Sequence, residues 1–383
     1  MRVPLEEPNP NCEEFKELLL GERKSVSSRI PFIELFMDGE IMQEVATKYL
    51  GLDWIPTADI DEASSEEKKR KEVLRRLEFS IECWYRLGYD YMWLRPMADA
   101  RVVFPTRHRT AADTAELSKG ERSWTEEGTA MITSWEDFEN YDWPNTEELD
   151  YWMFEEAPHL FPEGMGYLVC PSSGFLEIPL NRILGYENLA RLMYKKPDLV
   201  EAVFKKVGET LYAWYQGLLE RELDGLLGFF QGDDMGFKKQ TLVSPDFLRK
   251  HVLPWHKRLA ELAHDNDLVY VLHSCGNLEE IMEDLIEDVG IDAKHSFEDA
   301  IIPVTEFSDK YGDRITPLGG VDMDKLARME EGRLRRYVSG ILDHCVGNGP
   351  YALGSGNSVA NYVPVENYLI MLDEGLKWSE ENL

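Results

Sequence analysis

What this chain lacks narrows it quickly. Among its 383 residues no stretch approaches ~18 uninterrupted apolar positions, so no transmembrane helix is expected. Its opening, MRVPLEEPNPNCEEF, has no apolar core of the kind a signal peptide needs. Cysteine is scarce: Cys12, Cys83, Cys170, Cys275 and Cys345, an odd number spread along the chain. Without an export signal, that pattern predicts free thiols in a reducing cytoplasm rather than a disulfide framework. Basic residues are short as well, 41 Lys and Arg against 72 Asp and Glu, a formal net charge of −31. Such a surface repels phosphate backbones and anionic lipid, which weighs against nucleic-acid or membrane partners. It leaves room for an anion held in a locally basic pocket. The 43% hydrophobic and 11% aromatic content excludes a disordered chain.

Against these absences stands a persistent alternation of strand-like and helix-like segments. RIPFIELF, YDYMWL, GYLVCPSSGF, LDGLLGFFQGDD, LVYVLH, IDAKHS, RITPLGGVD and GPYALGSGN are eight strand candidates. Helical patterns lie between them, among them EEKKRKEVLRRLEFSIECWYRLG, whose Lys/Arg run forms a solvated face opposite a Val73, Leu74, Leu77 and Ile81 stripe. The alternation predicts a parallel (β/α)8 TIM barrel, preceded by an N-terminal arm over residues 1–28 and filling 29–383 as a single domain. A long insertion after the second strand, at about 95–165, is rich in Trp, Pro and acidic residues and reads as a lid or substrate-binding loop. No G-x-G-x-x-G follows the first strand, which removes the main reason to prefer an open doubly wound sheet.

In such a barrel, function sits at the C-terminal ends of the strands. The residues there are Glu34, Asp90, Cys170, Asp233, Asp234, His273, Cys275, His295, Glu298, Asp322, Ser355 and Asn357. Taken singly, each is explained by caps and turns. His273-Ser274-Cys275 is harder to dismiss. If the chain stays extended there, imidazole and thiol point to the same side, as a metal site, an acid/base pair or a packed strand end. Zinc needs about four ligands, one of them left open for catalysis. His273 and Cys275 supply two, and Asp234, Glu298, His295 or Cys170 could complete the set.

The stretches SPDFLRKHVLPWHKRL, VLHSCGNLEEIMEDLIEDVGIDAKHSFED, PLGGVDMDKL and GPYALGSGNSVANYVPVEN resemble the uroporphyrinogen decarboxylase superfamily of (β/α)8 barrels. RIPFIELFMDGEIMQ and LGYENLARLMYKKPDLV fit less sharply. One branch decarboxylates a tetrapyrrole bearing eight carboxylates, without metal, and its members resemble one another in an Arg-rich N-terminal segment. Here SSRIPFIELFMDGE offers one Arg and three acids. Arg95, Arg101, Arg107 and Arg109 could substitute as a polyanion clamp, but are more simply solvated loop arginines. The other branch comprises methyltransferases that pass a methyl group between a small substrate and a corrinoid protein; thiol-activating members resemble one another in H-x-C plus a distant Cys that bind zinc. His273-Ser274-Cys275 matches the first part, while Ser355 and Asn357 stand where the third Cys is expected. Cys345 closes the preceding helix and should lie at the far end of the barrel.

The resemblance therefore implies a methyltransferase of a corrinoid-dependent system acting on a methylated or methoxylated small molecule. It implies zinc on His273 and Cys275 and a corrinoid carried by a partner protein. Asp233, Asp234 and Glu298 are the expected acid/base residues. Glu34, Arg95, Arg101, His295, Asp322 and Asn357 are expected to hold substrate. Tetrapyrrole decarboxylation and a non-catalytic tetrapyrrole or corrinoid binder are the rival readings.

Overall fold

The structure, a computed structural model, describes residues 1–27, 29–55, 65–112, 121–125 and 130–383. Its strands are β1 (Tyr91–Leu94), β2 (His108–Ala112), β3 (Glu121–Thr125), β4 (Gly166–Val169), β5 (Leu226–Gly232), β6 (Val269–His273), β7 (Ala293–His295) and β8 (Thr316–Leu318). β2 and β3 form an antiparallel hairpin within the insertion. The other six make one parallel sheet in the order β1-β4-β5-β6-β7-β8.

Two further segments, the first and last strand candidates of the sequence, close that sheet into the (β/α)8 barrel. Residues 351–355 bridge in parallel to Leu318 and Val321 on one side, and Leu353 bridges to Phe32 on the other. They pair through single bridges rather than regular ladders. Pro31 removes a donor from the first segment. In the second, a Cβ at Gly354 would fall 1.8 Å from the Ile33 carbonyl oxygen, so only glycine lets the two backbones approach. At the remaining seam, the Tyr91 hydroxyl accepts from the Glu34 backbone N–H (3.0 Å) and donates to the Glu34 carbonyl.

The helices follow from their apolar stripes. Pro197–Leu219 buries Leu199, Val203, Val207, Leu211, Trp214 and Leu218 along its inner face. Glu66–Arg86 buries Val73, Leu77 and Ile81 and leaves its Lys/Arg run outside. Pro197 and Pro254 mark breaks, each entering at the first turn of a new helix, where a missing N–H costs nothing. The N-terminal segment is docked rather than dangling. Its helix Cys12–Leu19 buries Phe15, Leu18 and Leu19 completely. Phe15 stacks on Tyr91 at 5.0 Å, and Leu18 accepts a hydrogen bond from the Thr316 hydroxyl at the start of β8. The barrel's N-terminal end is thereby stoppered.

Candidate active site

The opposite end holds a cavity of about 570 Å³. His273, Cys275 and Asp234 meet in its wall, their ligand-type atoms all within 4.8 Å of one another. β6 ends at His273, and its register sets that residue directly beside His295 of β7. The two imidazoles touch through their Nδ1 atoms at 2.7 Å, and His295 Nε2 faces the Ser355 carbonyl oxygen at 3.3 Å. A carbonyl can only accept, so His295 carries its proton on Nε2 and offers a lone pair at Nδ1. His273 Nδ1 must then be the donor. The consequence is a bare His273 Nε2 turned toward Cys275 Sγ (3.5 Å) and Asp234 Oδ1 (3.6 Å). Both rings are neutral: burial, with the nearby Lys294 ammonium, pushes His273 down to about 3 and His295 well below its ordinary value.

Cys275 is held from several directions. Its backbone N–H donates to Asp234 Oδ1 (2.8 Å), and Asn357 Nδ2 donates to its sulfur at 3.1 Å. Ser296 Oγ lies 3.5 Å from the same sulfur and donates to the Gly356 carbonyl. Ser296 does so from a φ of +119°, a region other residues than glycine rarely occupy. Burial and the Asp234 charge push the thiol up to about 12.

A nitrogen, a sulfur and a carboxylate oxygen fit zinc. Tetrahedral bonds of about 2.0 Å to nitrogen and 2.3 Å to sulfur imply an N···S edge of roughly 3.5 Å, which is the separation of His273 Nε2 and Cys275 Sγ. The Nδ1 relay through His295 fixes the ring so that Nε2 is the atom presented.

The structure separates the other expected site residues. Arg95, Arg101 and Asn357 line the cavity with the triad. Asp233 does not: it is fully buried behind it. Its carboxylate accepts from the Leu176 and Glu177 backbone N–H groups and from His256 Nε2 (2.9 Å), and Gly174 lies so close that a Cβ there would clash with it at 2.2 Å. Its place is therefore that of a loop anchor, not of a group touching substrate. His295 is likewise fully buried behind His273. Glu34 is buried in the barrel interior, where its carboxyl takes the Ser355 N–H and hydroxyl. Burial pushes it up to about 8. Asp322 caps the helix Met323–Arg328, and exposed Glu298 shares with it a neighbouring groove that has Asn357 in common with the cavity wall. Cys345 is buried in the helix Glu331–Asn348, away from this wall. Arg107 does not line the cavity, and the Arg109 side chain lies outside the described residues.

Sequence reasoning missed Glu177, Arg182 and Trp93, all in the cavity wall. Glu177 and Arg182 are the charged residues of FLEIPLNRIL, at the head of and within the wide helical turn Ile178–Leu184. Two charges in so apolar a run were the available signal; a search confined to strand ends passes over them. Burial beside Asp234 and Asp233 pushes Glu177 up to about 8.

Residues 180–377 match the family model described as uroporphyrinogen decarboxylase (URO-D). The chain belongs to that family. No curated relative matches this URO-D chain in sequence. Among solved structures it is similar to a methyltransferase from Methanosarcina mazei, with a TM-score of 0.65 and 14% identity over 96% of this chain and 98% of that one. A B12-independent methionine synthase from Shewanella sp. W3-18-1 is more distant, with a TM-score of 0.48 and 11% identity over 83% and 90%. At these identities the likeness is one of fold.

Proposed function

We propose that this URO-D protein is a methyltransferase that takes a methyl group from a small methylated or methoxylated molecule, with a corrinoid carried by a separate protein as acceptor. The single observation behind the reading is the His273, Cys275 and Asp234 triad, with its imidazole lone pair aimed into a substrate-sized cavity. These three residues would hold zinc, which supplies a Lewis acid to polarise the atom that carries the methyl group. His273 contributes Nε2, set by the His295 relay; Asn357 and the Cys275 backbone contact orient the sulfur and carboxylate. Glu177 faces the same cavity and offers a carboxyl to protonate a departing oxygen.

Elemental analysis of the purified protein tests this reading, with about one zinc expected per chain. Cys275→Ala is expected to lose both metal and methyl transfer while Cys345→Ala keeps both. Metal loss in the two variants alike, or zinc-free protein with undiminished activity, would remove the site as drawn. Decarboxylation of uroporphyrinogen is expected to be absent. The cavity's arginines share their wall with Glu177 and Asp234, and a substrate with eight carboxylates needs far more positive charge. Robust formation of coproporphyrinogen would return the assignment to the decarboxylase branch.

A further inference from the structure

A chain with a net charge of −31 has gathered Arg95, Arg101 and Arg182 around one cavity. Cations in so acidic a protein ordinarily find carboxylate partners, as Arg314 does with Glu283 and Glu287, and Arg335 with Asp373 and Glu374. Neither Arg95 nor Arg182 makes an ion pair or a side-chain hydrogen bond to a carboxylate among the described residues. Glu177, five positions before Arg182 and in the same wall, forms no ion pair with either. Arg182 is half-buried, and loss of solvent lowers its pKa; the Glu177 carboxylate in the same wall offsets this only in part, and the Arg95 charge adds to the lowering. Arg95 is pre-set: its guanidinium lies over the Trp93 indole, 5.2 Å from the ring centroid, which fixes the plane and leaves edge N–H groups for a ligand. Trp93 in turn stacks on Phe36 at 6.0 Å and 25°, giving a continuous aromatic wall beside the two cations.

We propose that the cavity takes a small monocarboxylic acid, its carboxylate gripped by Arg95 and Arg182, its apolar body laid along Trp93 and Phe36, and its methyl-bearing group presented to His273, Cys275 and Asp234. Only the last clause rests on the methyl-transfer reading. Two guanidinium groups suit one carboxylate, since each offers a planar fork of donors. A polyanion would leave most of its charge facing Glu177 and Asp234.

Isothermal titration calorimetry on the full chain tests the clamp without metal or turnover. The probes are 4-methoxybenzoate and methoxyacetate, each paired with its neutral amide, 4-methoxybenzamide and methoxyacetamide. At least one acid is expected to bind, and at least tenfold more tightly than its amide. Arg182→Gln should weaken the acid by about 10- to 100-fold and leave the amide unchanged, the scale of a lost charge-assisted hydrogen bond. Arg95→Gln, at the exposed end of the clamp, should act the same way if Arg182→Gln fails to fold. Arg182→Lys should recover part of the loss. Equal binding of acid and amide, no binding by either acid, or full acid affinity in both Gln variants would overturn the proposal. Acid binding that persists in a protein without methyl transfer would leave the clamp standing and remove the catalytic reading instead.

Discussion

Glu34 keeps a carboxyl group where water does not reach, and the sign of its effect on stability follows. Its pKa rises from 4.5 unfolded to about 8 folded, chiefly through burial, so between those values the native chain binds a proton that the unfolded chain has released. Stability from this group is therefore fully present below about pH 4.5 and is lost as pH rises toward 8. Glu34→Gln, which cannot ionise, is expected to flatten that loss, by roughly 5 kcal/mol at most. Chemical denaturation of both proteins at pH 5 and pH 9 measures it; parallel pH dependences would show that Glu34 does not retain its proton. Glu177 calls for a catalytic test. If it protonates a departing oxygen, Glu177→Gln should lower the rate by about 10²- to 10⁴-fold, most for the most basic leaving group. A loss independent of the leaving group would assign it a positioning role. Ser296 combines a strained backbone with a hydroxyl at the site. Ser296→Gly should relieve the strain of about 1–3 kcal/mol while losing the Gly356 bond, whereas Ser296→Ala keeps the strain and loses the bond. Thermal unfolding should therefore rank the Gly variant above the Ala variant.

At the scale of elements, the barrel is weakest where pairing is thinnest. Between residues 30–34 and β1, the Tyr91 hydroxyl spans the seam with bonds to both backbone groups of Glu34. Tyr91→Phe is expected to cost about 1–3 kcal/mol, because buried backbone groups lose their partner, and to raise hydrogen exchange locally at residues 32–36. Unchanged exchange there would mean that packing alone holds the seam. The sequence pattern reveals all eight staves through their alternation with helical segments, and the longer ones, such as β5 and β6, as apolar runs that need no tertiary information to recognise. It cannot reveal that the first and last pair through single bridges, since that depends on Pro31 and on how closely Gly354 meets Ile33. His273 and Cys275 are legible from two-residue periodicity. The inward turn of Asp234 and the burial of Asp233 are not, because adjacent acids in one loop look alike until Leu176, Glu177 and His256 claim one of them. Glu177 and Arg182 come from a helical turn after β4, and no strand-end rule points there.

For the whole molecule, the consequence lies in the stopper. With Phe15, Leu18 and Leu19 packed under the strands, the barrel has a floor, and among the described residues the cavity lies at the far end. On the methyl-transfer reading, donor and acceptor would therefore share that end as a doorway. A bulky macromolecular acceptor that arrives first would bar the small molecule from the chamber, while one that arrives second would close over it. Direct transfer needs both present at once, so the small molecule must enter first, and initial-rate measurements with both reactants varied should show excess acceptor inhibiting competitively against the small molecule.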